Sequence, residues 1–557
     1  MPIFKYILLC LIAIAIHTGS NAQHILNIDS LFANKSEIVF SFEENDKHKV
    51  NQLSDIISID SWRHDTITAY ANKEEFVNFL ALSYPFVIHT KHYPKAVNMA
   101  SDINEMMEWN KYPTYNTYLE MMQYFQLQYS DICRVDTIGY STKGRLILAV
   151  KISDNVDSNE AEPEFMYSST IHGDEVTGYY LMLRLINTLL SSYNNDNELT
   201  TLINNTQIYI NPLANPDGTY YKGDNSVVGS TRYNAKRVDL NRNYPDPWKT
   251  SQPNDIQIEN TAMINYVDKH HFVMAANLHG GAEVLNYPWD SFVSYSKKTA
   301  DYDWWINVCQ QFINTCRNID PYCFSTDFAN GYVQGGNWYV ISRGRQDYMN
   351  YHQRIREITM EVSLEKILPT DMLQDYWNTQ HQALIDYIAE VHKGIHGTVT
   401  DSATGLPIEA LIHIVNHDKD NSDVYSSNHN GHFYRPIASG TYTLRVSAPG
   451  YITKEIKDIQ YSYPNQTTIN VELVKSKNSP DEIKIYPNPC TDYIQIVSGD
   501  NIIEYTLLDA TGRIISAQQV NAFSTDIYTA NLQVGIYIIE IHTSSNTKNR
   551  IFTFVKQ

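Results

Sequence analysis

The run His172-Gly173-Asp174-Glu175 sets an imidazole and two carboxylates within four residues. A second histidine, His279, follows in the polar run Asn277-Leu278-His279-Gly280-Gly281, and another carboxylate, Glu361, lies further downstream. Together these are the parts of a hydrolytic zinc site. Two imidazoles and one carboxylate hold Zn²⁺ through three protein atoms and leave a fourth position for water, whose pKa falls to about 7 beside the metal. An isolated His-x-x-Glu is weak evidence, because surface histidines and glutamates meet at that spacing by chance. The surroundings strengthen it. Asn215-Pro216-Asp217-Gly218 is a turn by composition, and the stretch from Arg232 to Pro245 that follows carries Asn241 and Arg242.

Such residues need a scaffold that brings distant segments together. Residues 165–170 read as a buried strand and residues 176–192 as a helix with Leu181, Leu185 and Leu189 on one side. His172 and Glu175 therefore fall at a strand's carboxyl end, where open α/β sheets place ligands. Residues 146–152, 207–211, 273–278 and 358–362 read as further strands, the last carrying Glu361, and residues 115–129 and 373–392 as helices. The expected class is α/β: a mixed sheet with helices on both faces. Ahead of it, residues 37–89 read as βαββαβ, a ferredoxin-like split arrangement. Behind it, residues 394–473 carry short alternating strands around the turn Asn430-Gly431, as in a β-sandwich. Past a polar linker at 475–481 comes a second small β unit, also expected as a β-sandwich, with strands near 493–497, 502–509 and 535–542.

Length and charge narrow the function. A chain of 557 residues is expected to hold three or four domains. A net charge of −20 argues against nucleic acid or an anionic membrane as the main partner. Residues 1–22, with a lone Lys5, an apolar run from Ile7 to Ile16 and a small-residue end, have the layout of a secretory signal peptide. No later stretch is long and apolar enough to cross a bilayer as a helix. Removal of the leader leaves five cysteines, an odd set that cannot complete a disulfide framework.

Six ordered blocks, 171–178, 215–218, 232–246, 277–290, 338–348 and 358–362, resemble the zinc metallocarboxypeptidases, in particular the carboxypeptidase N/E branch. The resemblance implies that His172, Glu175 and His279 ligate one Zn²⁺ and that Glu361 is the general base. It implies that Arg232 stabilises the oxyanion, that Asn241 and Arg242 grip the substrate's α-carboxylate and that Tyr339 closes over it. Asp290 and Gln346 match the positions that favour a C-terminal Lys or Arg. One departure stands out: the branch's paired glycines before Gln346 are replaced by Arg343-Gly344-Arg345, which could reshape the pocket loop and repel a basic side chain. Residues 394–474 resemble the branch's transthyretin-like domain. Ile485-Tyr486-Pro487-Asn488-Pro489, Asp509 to Arg513 and Gly535-Ile536-Tyr537 resemble the C-terminal sorting domain of type IX secretion cargo.

The expected organisation is a signal peptide at 1–22, a propeptide-like α+β module at 23–100 and a catalytic domain at 101–393. A transthyretin-like β-sandwich at 394–475 and a sorting domain at 482–557 follow. The expected function is a secreted or surface zinc carboxypeptidase acting on peptide or protein C-termini, with the type IX machinery as its export partner. Two alternatives keep the same zinc site: an amidohydrolase for cell-wall peptides or acyl amino acids, and a noncatalytic surface protein that binds peptides.

Overall fold

The computed structural model describes residues 27–91, 93–94, 97–249, 252–253, 255–476, 483–544 and 549–557. The leader expected at 1–22 and most of the linker expected at 475–481 lie outside them. The chain divides into two compact units, one ending at His392 apart from the short piece Asp420–Ser422, the other taking the remainder.

The first unit is built on an eight-stranded sheet. Across it the strands run Tyr332–Gln334, Ala282–Tyr287, Arg356–Ser363, Phe272–His279, Glu164–Ser169, Gln207–Asn211, Leu146–Ile152 and Cys133–Tyr140. The middle four, from Arg356–Ser363 to Gln207–Asn211, are mutually parallel, and antiparallel strands flank them. Every residue of Glu164–Ser169, Gln207–Asn211 and Phe272–His279 is buried, as a parallel sheet covered on both faces requires. Alternation along one strand shows both covers. Phe165 meets Tyr387 of the helix Leu373–Ala389 edge-on and Tyr167 packs against the same ring, whereas Met166 joins a cluster with Met263 and Tyr266 of the helix Ile258–Val267. The strands Cys133–Tyr140 and Ala282–Tyr287 were not legible in the sequence, because neither follows a clean period of two. The helix Tyr302–Arg317 holds Cys309 and Cys316, and all five described cysteines are free and buried.

Ahead of this sheet, four antiparallel strands lie in the order Ser58–Arg63, Thr66–Ala71, Ile38–Glu43, Val87–His89, with the helices Lys47–Leu53 and Lys73–Leu80. Phe40, Phe42, Phe76 and Phe79 are buried at its centre, each contributing about 1.5–3 kcal/mol by leaving water. That core runs on without a break into Trp338, Tyr339 and Ile341 of the larger sheet's surroundings. Glu75 pins the junction. It closes a capping box with Asn72, and its Oε2 also accepts from Tyr233 Oη at 2.6 Å. Burial lifts its carboxyl from 4.5 to about 7, against the pull of Tyr233. A folded-state value above the unfolded one gives a contribution that is whole below pH 4.5 and lost as pH rises through 7. Between pH 5 and pH 8 the melting temperature should therefore fall more steeply in the parent than in Glu75→Gln; parallel curves would contradict this assignment.

In the second unit, Gly394–Asp401, His432–Arg435, Gln466–Thr468 and Val471–Leu473 form one sheet and Leu411–Ile414, Val424–Tyr425, Gly440–Ser447 and Lys454–Tyr461 another. They enclose Ile395, Ile412, Phe433 and Leu444. The last residues form a five-stranded antiparallel sheet. The two strands expected at 493–497 and 502–509 are one continuous strand, Tyr493–Asp509, and its partner Ile514–Tyr528 was not anticipated. Register shifts between Val497 and Ile502, and again near Glu504 and Leu508, break the alternation that would have revealed them.

Candidate metal and substrate cleft

Sheet register does the first part of the assembly. His279 ends the strand Phe272–His279 directly opposite Glu361 on Arg356–Ser363, and Leu278 pairs with Ser169, three residues before His172. Two neighbouring strand ends and the loop after a third, which carries both His172 and Glu175, thus deliver all four candidate groups to one place. The Asn215–Gly218 turn fixes that loop. Asn215 Nδ2 donates to Ile171 O at 3.1 Å, and Gly173 N donates to Arg232 O at 3.2 Å. A Cβ on Gly173 would lie 2.3 Å from the Gly218 carbonyl carbon, so only glycine lets the turn approach.

The donor atoms converge. His172 Nδ1 and His279 Nδ1 lie 3.0 and 2.9 Å from Glu175 Oε2, and 3.1 Å from each other. All three side chains are buried, at 2% exposure. Ligands about 2.0–2.2 Å from one tetrahedral ion stand roughly 3.3 Å apart, so this triangle fits a zinc ion. The far sides of the rings fit as well. His172 Nε2 meets Asp239 Oδ1 at 3.1 Å, which leaves Nδ1 as the lone-pair nitrogen. Asn277 Nδ2 lies 2.8 Å from His279 Nε2 while its Oδ1 is buried without a partner. Turning that amide over lets Oδ1 accept the Nε2 proton and aims the Nδ1 lone pair at the triangle. Burial holds His279 down at about 4, so the ring is neutral as a ligand must be. Burial opposes ionisation of Glu175, but positive neighbours, Lys366 among them, hold its carboxyl well below the usual range.

The remaining predicted residues surround this triangle in a cleft of about 460 Å³. Glu361, Arg232, Asn241, Arg242, Tyr339 and Asp290 all line it, and Gln346 stands behind Asp290. Burial, then the charge of Glu175, pushes the Glu361 carboxyl well above its ordinary value, and its Oε2 has no hydrogen-bond partner among the described residues. Arg232 is fixed through Nε to Asp239 Oδ2 at 3.0 Å and through Nη1 to Glu175 Oε1 at 3.3 Å. Arg242 donates Nη1 to Asn241 O at 3.0 Å, whereas its Nε and Nη2 are buried and unbonded among the described residues. Tyr339 Oη donates to Ile59 O at 3.2 Å. Gln346 Nε2 donates to Asp290 Oδ1 at 2.8 Å, and a Cβ on Gly335 would collide with that same oxygen.

The two arginines of the altered loop do not line the cleft. Arg345 grips Glu357 through Nε and Nη2 and Ser168 through Nη1. Arg343 keeps the left-handed backbone that glycine would favour, at φ 59°, with its N–H on Asp246 Oδ2.

Sequence reasoning missed four residues that complete the site. Asp239 binds His172, Arg232, the Asn241 N–H and Ser58 Oγ at once, and its place inside the 232–246 block was the available signal. Asn277 stood in the quoted polar run. Lys366 and Asp60 carried no local signal, being brought in by the fold.

An α/β metallohydrolase cleft, with a two-histidine, one-carboxylate triangle at parallel strand ends, is the class that fold and site define together. Residues 118–383 match the zinc carboxypeptidase family model, residues 394–474 that of the carboxypeptidase regulatory-like domain, and residues 484–554 that of the secretion system C-terminal sorting domain. Carboxypeptidase M of Mus musculus is 34% identical over 341 residues, covering 58% of this chain and 76% of that protein. The carboxypeptidase N catalytic chain of Homo sapiens is 33% identical over 387 residues, covering 62% and 82%. Carboxypeptidase D of Anas platyrhynchos is 32% identical over 422 residues, but the chain spans only 29% of its length. The chain belongs to the zinc carboxypeptidase family. Its sorting domain directs it to the cell surface or the medium, and no described helix is long and apolar enough to cross a membrane.

Proposed function

We propose that the chain is a zinc-dependent carboxypeptidase that removes one residue, Lys or Arg, from the C-terminus of a peptide. The observation that carries it is the half-satisfied guanidinium of Arg242. Two buried nitrogens without partners cost free energy unless a ligand bonds them, and a carboxylate matches that fork in two places. An internal peptide bond offers no such group there, so the fork selects chain ends. Asn241 and Tyr339 line the same cleft and complete the grip.

A zinc ion on His172, Glu175 and His279 supplies Lewis acidity and an activated water. Glu361 then takes a proton from the attacking water and delivers one to the leaving amine. Arg232, held by Asp239 and Glu175, meets the negative oxygen that develops on the scissile carbonyl. Asp290, buried where its charged form is disfavoured, pairs with an entering Lys or Arg side chain. Residues 23–100 are read as a covering module, and the type IX machinery as the partner of the sorting domain.

Mass spectrometry of products tests the reading. A peptide ending in a free Arg should lose that residue alone, while the same peptide with an amidated end should stay intact, and removal of metal by a chelator should stop the release of Arg. Cleavage of the amidated peptide, or release of acyl groups and wall fragments instead of C-terminal residues, would overturn it.

A further inference from the structure

Three consecutive residues of the N-terminal module's strand Ser58–Arg63 reach the cleft or the residues that build it. Ser58 Oγ donates to Asp239 Oδ2 at 2.6 Å, Ile59 O accepts from Tyr339 Oη, and Asp60 lines the cleft itself. Asp60 Oδ1 lies 2.7 Å from Lys366 Nζ and 3.8 Å from Arg232 Nη1. Lys366 Nζ also lies 2.9 Å from Glu175 Oε1, and the Tyr70 ring packs beneath it at 4.7 Å. Of the three carboxylates within 4 Å of this ammonium among the described residues, Asp60 is the one without a second cation closer than 3.8 Å. Asp174, 3.9 Å away, is already taken by Lys91 at 2.7 Å, and Glu175 is shared with Arg232 and two imidazoles. A cation so buried, with side-chain exposure of 14%, needs a carboxylate of its own.

We propose that Lys366, with Arg232 beside it, is an anion subsite, that Asp60 fills it as an intramolecular competitor, and that in a bound peptide it takes the acidic side chain of the residue before the scissile bond. This rests on the carboxypeptidase reading, which assigns the last residue to Arg242 and Asp290. The side chain that can meet a cation across Glu175 and Arg232 is then the one on the other side of the bond. While Asp60 sits there, Arg232 faces a fixed negative charge instead of the developing oxyanion, and Tyr339 is tied to the module's backbone.

The full-length protein and its Asp60→Asn variant, both checked for zinc content and melting temperature, are assayed on peptides ending in Glu-Arg, Gln-Arg or Lys-Arg. The substitution should raise kcat/KM on the Glu-Arg peptide by at least about tenfold, which corresponds to 1.4 kcal/mol, and by clearly less on Lys-Arg. A second measurement is binding without turnover. To the Asp60→Asn, Glu361→Gln double variant, N-acetyl-Glu-Arg should bind about tenfold tighter than N-acetyl-Lys-Arg by calorimetry, a difference that Lys366→Gln should erase. Unchanged kcat/KM with equal binding of both dipeptides would overturn the subsite and leave the carboxypeptidase standing. Zinc-loaded protein that cleaves none of the peptides, before or after the substitution, would instead overturn the reading beneath it.

Discussion

Glu361→Gln should lower kcat by about 10²–10⁴-fold, the contribution of a positioned general base, while the chain keeps its zinc and its fold. The separation follows from where the side chain sits. Glu361 is not a corner of the His172, Glu175, His279 triangle, so the metal keeps all three of its protein ligands. Its Oε2 has no partner among the described residues, so the amide breaks no bond there. Burial and the neighbouring Glu175 already disfavour the charged form, and an uncharged isostere relieves that cost. The melting temperature of the variant should accordingly match or exceed the parent's. Zinc measured by atomic spectrometry, with stopped product release on a C-terminal arginine peptide, checks both halves. Zinc lost along with activity would make Glu361 a ligand; activity retained would remove it from the proton transfer.

That site was largely legible because its parts are local. A histidine and a glutamate three residues apart at a strand end, a second histidine ending another strand, and a glutamate within a third are each fixed by short-range pattern. What pattern cannot supply is register. Only the pairing of His279 with Glu361 explains why residues 82 positions apart in the chain reach one cleft. The charges that tune the site were less visible still. Lys366 lies in a loop and Asp60 on a strand of another module, and nothing in their neighbours marks them. Arg343 and Arg345 show what spacing hides. As bare sequence they are two cations beside the candidate pocket, but Glu357, buried on the adjacent strand, binds Arg345 in a geometry that spacing alone does not disclose. The terminal sheet failed for a backbone reason: repeated bulges in Tyr493–Asp509 reset the inside-outside alternation on which strand reading depends.

Asp290→Asn should cut kcat/KM for peptides ending in Arg or Lys by roughly 10²–10³-fold and leave peptides ending in Leu within a few-fold of the parent. The argument is one of paired burial. Asp290 is 2% exposed, and burial together with the nearby charge of Asp347 pushes its carboxyl well above the usual range. A guanidinium or ammonium entering beside it favours the ionised form and forms a buried pair. Leaving one member of such a pair without the other costs about 3–5 kcal/mol. Asparagine keeps an oxygen for the Gln346 amide but carries no charge, so the entering cation is stranded while an apolar residue is not. Gly335 sharpens the effect, because its missing Cβ is what lets Asp290 reach its place, and a Gly335→Ala chain should repeat the loss of basic preference by displacing that carboxylate. Equal losses on Arg and Leu peptides would show that Asp290 only supports the loop. A loss confined to the basic peptides would mean that the pocket reads charge, with Arg345 held away on Glu357 and no cation left to oppose it from that loop position.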